Sequence, residues 1–161
     1  MNLISGMTEI PIRRRQGGQA RRAPSASWAG PLAWVRPARR TLSLPPDPSS
    51  ASVARIFVRG VLSDWGLTAM EPDACLVATE LVTNGLRHGG GAESITLTAN
   101  KRHLQISVSD KAALRSPRRL YRELTAEGGR GIALVEAVAE SWGTTRPRAR
   151  HGKAVWCKLK I

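Results

Sequence analysis

With 161 residues, 42% of them hydrophobic, the chain is long enough for one domain with its own core and a tail. It contains no run of about 18 apolar residues, which excludes a membrane-spanning helix, and no apolar N-terminal stretch with a small-residue cleavage site, so secretion is not expected. The formal net charge of +13 raises nucleic acid as a partner, but more than half of the excess lies in the first 40 residues, where eight arginines face one acid, Glu9.

Residues 1–38 are rich in Arg, Gly, Pro, Ala and Ser and show no sustained period of 2 or 3.6. They are expected to form a disordered, solvated basic tail, with direct nucleic-acid binding unlikely on this composition; Trp28 and Trp34 are unusual in such a segment. Residues 39–161 form the expected domain.

Arg39 to Leu44 reads as a first strand with Leu42 and Leu44 on one face, stopped by Pro45-Pro46-Asp47-Pro48. Ser49 or Ser50 can cap the helix that follows. Ala54, Phe57, Val58, Val61, Leu62 and Trp65 recur at helical spacing over 50–65, and Gly66 closes that helix. Pro72 suits the first turn of a second helix, which runs to about His88 before Gly89-Gly90-Gly91 ends it. Its apolar face carries Leu76, Val77, Leu81, Val82 and Leu86, while Glu80, Asn84 and His88 fall four residues apart on another side.

Ile95, Leu97 and Ala99 alternate with polar residues, as do Leu104, Ile106 and Val108, and Asn100-Lys101-Arg102 between them predicts a hairpin ending at Ser109-Asp110. A polar loop with Pro117 and five arginines between Arg115 and Arg130 follows. Glu127-Gly128-Gly129-Arg130-Gly131 then leads into a third helix carrying Ile132, Leu134, Val135 and Val138. Strands are expected near Ser141–Arg146 and Ala154–Ile161, joined by a basic turn containing Gly152-Lys153. This order predicts an α+β, two-layer sandwich with helices on one face of a mostly antiparallel sheet. Cys75 and Cys157 fall in a helix and a strand without metal-ligand spacing, as expected of core residues in a reduced, cytoplasmic protein.

The chain has no Gly-x-x-x-x-Gly-Lys-[Ser/Thr] loop, no dinucleotide fingerprint and no Gly-x-Ser-x-Gly elbow, and His88, His103 and His151 lack zinc-site spacing. The glycines before the third helix are different. They let the backbone approach a ligand, and free N–H groups at a helix start bind anions.

Four motifs stand in a particular order: ELVTNGLRHGG, VSD, EGGRGIALVEAVAESWG and GKAVW. Over residues 40–161 the chain thereby resembles the GHKL ATPase/kinase superfamily with its Bergerat ATP-binding fold, and within it the anti-sigma regulatory factors, which are serine-protein kinases. The resemblance implies ATP and Mg²⁺ as cofactors, with Asn84 as the magnesium ligand and Glu80 as general base toward a substrate serine. It implies that Asp110 accepts a hydrogen bond from the adenine amino group, that Gly129, Arg130 and Gly131 wrap the phosphates, and that Lys153 approaches phosphate or an acidic partner. The implied partners are a sigma factor and an anti-anti-sigma (STAS-type) protein, with homodimerisation. Two departures favour an alternative, a non-catalytic regulatory module that is nucleotide-gated or nucleotide-independent. Asp110-Lys111-Ala112-Ala113-Leu114 carries neither glycine of the family's Asp-x-Gly-x-Gly, and Ala154 stands where the family often has Thr.

Overall fold

Strand periodicity and register explain most of the architecture. The computed structural model describes residues 7–9, 38–88, 90–111, 130–145 and 152–161. Its elements are β1 (Met7–Glu9), β2 (Ala38–Ser43), α1 (Ser50–Asp64), a 3-10 turn (Thr68–Met70), α2 (Glu71–His88), β3 (Ala92–Ala99), β4 (His103–Asp110), α3 (Arg130–Val138), β5 (Ser141–Thr145) and β6 (Lys153–Lys160). The strands form one sheet in the order β1-β5-β6-β4-β3-β2, and every neighbouring pair is antiparallel. The expected α+β class, with helices against a largely antiparallel sheet, is what the chain adopts.

Period-2 alternation sorts the sheet into two faces. Ile95, Leu97 and Ala99 of β3, Leu104, Ile106 and Val108 of β4, Trp142 of β5, and Val155, Cys157 and Leu159 of β6 are buried together. The helices supply Ala54, Val58, Val61 and Leu62 from α1, and Ala74, Val77, Ala78, Leu81 and Val82 from α2. Helix α2 lies on β3, β4 and β6 and also packs against α1 and α3. Gly85 allows its close approach: a Cβ there would meet the Ala92 Cβ at 3.2 Å.

Turn chemistry holds the elements apart. Gly66, at φ +68°, ends α1, and Gly90 and Gly91, at φ +68° and +110°, carry the chain from α2 to β3, conformations that suit residues without a Cβ. In the hairpin between β3 and β4, the Asn100 side-chain oxygen accepts from the backbone N–H groups of Arg102 at 2.8 Å and His103 at 2.9 Å.

The structure corrects several details. Neither serine caps α1 as anticipated: Ser49 occupies the N-cap without a side-chain bond, its own N–H donates to Asp47 Oδ1, and the Ser50 hydroxyl donates to the Pro45 carbonyl. Leu134, assigned to the apolar face of the third helix, is 45% exposed, whereas Val135 beside it is buried. No strand is anticipated before residue 39, yet Met7–Glu9 pair with Gly143–Thr145 of β5. Trp28 and Trp34 lie outside the described residues. No helix among those described is long and apolar enough to cross a membrane.

Cys75 and Cys157 are free and buried, as expected of core residues. Burial pushes the Cys157 thiol up to about 12, and the Cys75 thiol is raised for the same reason. An unfolded thiol ionises near pH ~8.5, so above that point the folded state holds the extra proton and stability falls as pH rises toward about 12. Native protein at pH 8 should leave Cys157 unmodified by an aromatic disulfide reagent, with reaction appearing only on unfolding. Rapid labelling of Cys157 in native buffer would contradict this packing.

Candidate functional site

Helix α2 carries the first pair of candidate groups. Val77, Ala78, Leu81, Val82 and Gly85 are buried against the sheet and α1, which fixes the helix azimuth. Glu80 and Asn84, each adjacent in sequence to one of those buried positions, are left half-buried at the border of the packed face. Neither side chain has a hydrogen-bond or ion-pair partner among the described residues, and the Asn84 Nδ2 is fully buried and unsatisfied. A buried amide donor without a partner costs about 1–3 kcal/mol, so this position carries a cost that packing alone does not explain. His88, on the same ridge, is half-buried at the end of α2.

The second pair lies where the apolar face of the sheet ends. Asp110 is in phase with Leu104, Ile106 and Val108 along β4, and Lys153 is in phase with Val155, Cys157 and Leu159 along β6. Register places Asp110 directly opposite Lys153. The Lys153 Nζ lies 3.2 Å from Asp110 Oδ1 and 3.0 Å from Oδ2, and the lysine and aspartate side chains are only 4% and 3% exposed. Behind them, Gly152 has φ +118°, and a Cβ there would collide with the Asp110 carbonyl oxygen.

Lys153 therefore starts β6 instead of sitting in a basic turn, and the acidic group it approaches is Asp110 of its own chain. It is Lys153, and not Ala154, whose side chain meets Asp110; one residue along the strand, Ala154 belongs to the opposite face. Sequence reasoning missed this pair because its members are 43 residues apart and only the strand register joins them.

Helix α3 begins at Arg130 and packs against α2, so the helix start expected to receive phosphate belongs to the same layer as Glu80 and Asn84. Gly131 is its second residue; Gly129 and the Arg130 side chain lie outside the described residues. No cluster of three or more His, Cys, Asp or Glu able to hold a metal occurs among those described. That donor set does not fit a resident metal. It does fit Mg²⁺ arriving with a nucleotide, because Mg²⁺ takes one or two protein oxygens and fills its remaining positions with phosphates and water. Among the described residues the Asn84 side chain has no hydrogen-bond partner, so its oxygen is available for that role.

Residues 44–158 match the histidine kinase-like ATPase domain family, a span that covers α1, α2, α3, β3, β4 and β5 and most of β6. Among curated proteins none matches the chain.

A cycle of variants checks the buried pair. Asp110→Asn strands an ammonium in the core and should lower the unfolding free energy by about 3–5 kcal/mol in urea titrations. The double variant Asp110→Leu/Lys153→Met, apolar at both positions, should recover most of that loss. A single variant as stable as the parent would show that the two charges are not coupled.

Proposed function

The chain belongs to the histidine kinase-like ATPase domain family, and from that premise we propose that it is an anti-sigma regulatory factor with protein serine kinase activity. Membership establishes the coarser statement, an ATP-binding, kinase-like ATPase domain. The finer reading takes an anti-anti-sigma, STAS-type protein as the phosphorylated partner and a sigma factor as the protein held inactive.

One observation carries it: Glu80 and Asn84 lie one helical turn apart at the border of α2's packed face, and neither has a partner among the described residues. A carboxylate without an ion-pair partner keeps its oxygens available to a hydroxyl proton. A carboxamide without a hydrogen bond keeps its oxygen available to a cation.

On this reading Asn84 holds Mg²⁺ together with the ATP phosphates, and the start of α3, with Gly129, Arg130 and Gly131, cradles those phosphates by backbone N–H groups. Mg²⁺ would supply neutralisation of charge on the transferred group. Glu80 takes the proton from the partner's serine hydroxyl as its oxygen joins the γ-phosphorus and the bond to the β-phosphate oxygen breaks. Such transfer depends mostly on positioning and charge, so one base and one metal-holding residue are a sufficient protein contribution.

A second reading, a regulatory module that no longer phosphorylates, draws on the Asp110–Lys153 pair, which engages the group assigned to adenine. The two separate in one assay series. Purified protein with radiolabelled ATP, Mg²⁺ and STAS-type partners should transfer label to a serine. Glu80→Gln should reduce transfer by about 10²–10⁴-fold while leaving ATP affinity unchanged. Asn84→Ala should remove the Mg²⁺-dependent part of ATP binding. Measurable ATP binding without label on any partner would leave only the module.

A further inference from the structure

The sheet face turned away from α1, α2 and α3 holds a residue whose burial its described neighbours do not explain. Trp156 lies on β6 between Val155 and Cys157, which point into the core, so by period-2 alternation its indole stands on the opposite face. It is nevertheless only 1% exposed, and Ala154 on the same face is 5% exposed. We propose that residues 10–37 cross this open face from β1 to β2 and lie over Trp156, with Trp28 and Trp34 packed on the sheet. The basic N-terminal segment is then an intramolecular partner of the domain.

Register sets Trp156 opposite Gly143 of β5 and Ser107 of β4. The indole lies down on Gly143, where a Cβ would meet its Cζ2 at 2.9 Å, and this contact covers one side of the ring. The Lys158 Nζ stands 5.0 Å from the ring centroid. An indole brings about 150–250 Å² to be buried, more than a glycine, a serine, an alanine and one lysine stem remove from water. Its Nε1 is also fully buried without an acceptor among the described residues, although buried indole N–H groups usually find one. The described neighbours therefore leave its surroundings incomplete. The low exposure is that of a single chain, so the rest of the cover belongs to the same molecule and not to a second copy.

Topology selects the segment. Strands β1 and β2 are the two outermost of a six-stranded sheet, so residues 10–37 start at one edge and end at the other, with β6 between them. Strands about 4.8 Å apart put those edges roughly 24 Å from each other. At about 3.3 Å per residue the segment spans that distance with slack. It carries Leu32 and Val35 beside Trp28 and Trp34, apolar groups that gain by leaving water. Residues 146–151 suit the role less, with three arginines and no apolar side chain larger than proline, next to a Lys158 of like charge. Residues 112–129 run from the end of β4 to the start of α3, which packs with α2 on the other face of the sheet. Laid across the open face, the arginines of residues 10–37 form a basic surface on the side of the sheet away from Glu80 and Asn84.

Photocrosslinking of the full chain tests this. Benzoylphenylalanine in place of Trp28, or of Trp34, exchanges one aromatic for another. On irradiation of dilute protein, at least one of the two positions should give an adduct within one chain, mapped to Ser107, Gly143, Trp156 or a neighbour on that face of β4, β5 and β6. Adducts on α1 or α2 route the segment round the helices and overturn the proposal. Adducts only between chains assign the face to a second copy and overturn it, as does the absence of any adduct from both positions. The wild type supplies a second readout that needs no variant to fold. Trp65, Trp142 and Trp156 are buried, so with Trp28 and Trp34 docked iodide should quench little of the native emission, and the quenched share should rise severalfold in urea. A large iodide-accessible share in native protein, as two solvated indoles among five tryptophans give, overturns the proposal. None of these results depends on nucleotide binding.

Discussion

The packing of α2 against the sheet sets the position of the rest of the domain. Val77, Leu81 and Val82 each gain about 1.5–3 kcal/mol from full burial, far more than a half-buried polar side chain can return at an exposed or partly exposed site. The apolar residues therefore fix the rotation of the helix, and Glu80 and Asn84 go where that rotation leaves them. Gly85 tightens the constraint, because its missing side chain lets the helix backbone settle against Ala92. A chain that packs this way places a carboxylate and a carboxamide at the rim of the core whether or not they help stability.

At the end of β4 and β6 the same geometric rule gives a different outcome. Period-2 alternation puts Asp110 and Lys153 on the buried face simply because Val108 and Val155 precede and follow them in phase. A buried ion pair adds little over apolar residues of similar size, while loss of one member costs several kcal/mol. The pair and the orphaned Asn84 amide are thus two expensive arrangements on elements that adjoin each other, α2, β4 and β6. Local choices that run against stability concentrate at sites with another task, and these are two of the places among the described residues where the fold departs from an apolar interior.

Most of the framework was legible in the sequence. Alternation in 94–99 and 104–108 identified β3 and β4, and helical spacing with the flanking glycines located α1 and α2 closely. Both kinds of signal are local. The misreadings have physical causes of their own. Gly152-Lys153 in a basic stretch looks like a turn, but the turn ends at Gly152, whose positive φ releases the chain into β6 one residue earlier than its apolar pattern suggests. Leu134 continues the apolar spacing of α3, yet that helix spans only Arg130–Val138, and it is Val135 that it buries. The Asp110–Lys153 contact depends on register between strands far apart in sequence, which no local pattern records. The candidate ridge on α2 was visible as spacing; that its two members have no partner among the described residues was not, because partnership is a three-dimensional property.

The two halves of the candidate site rest on different supports, and this bears on how they can vary. Glu80 and Asn84 are oriented by α2 packing, whereas Asp110 and Lys153 are oriented by the ladder between β4 and β6. The ladder is held by Ile106 opposite Cys157 and Val108 opposite Val155, residues that a change of side chain at position 153 leaves in place. Lysine can therefore occupy the end of β6 without shifting the helix that carries the proposed base and metal-holding residue. Phosphoryl transfer draws its stabilisation from contacts to the phosphates, not from contacts to the nucleobase. It follows that variation at the strand end and retention of the ridge on α2 are compatible in one domain, because they are written into separate layers of the same fold.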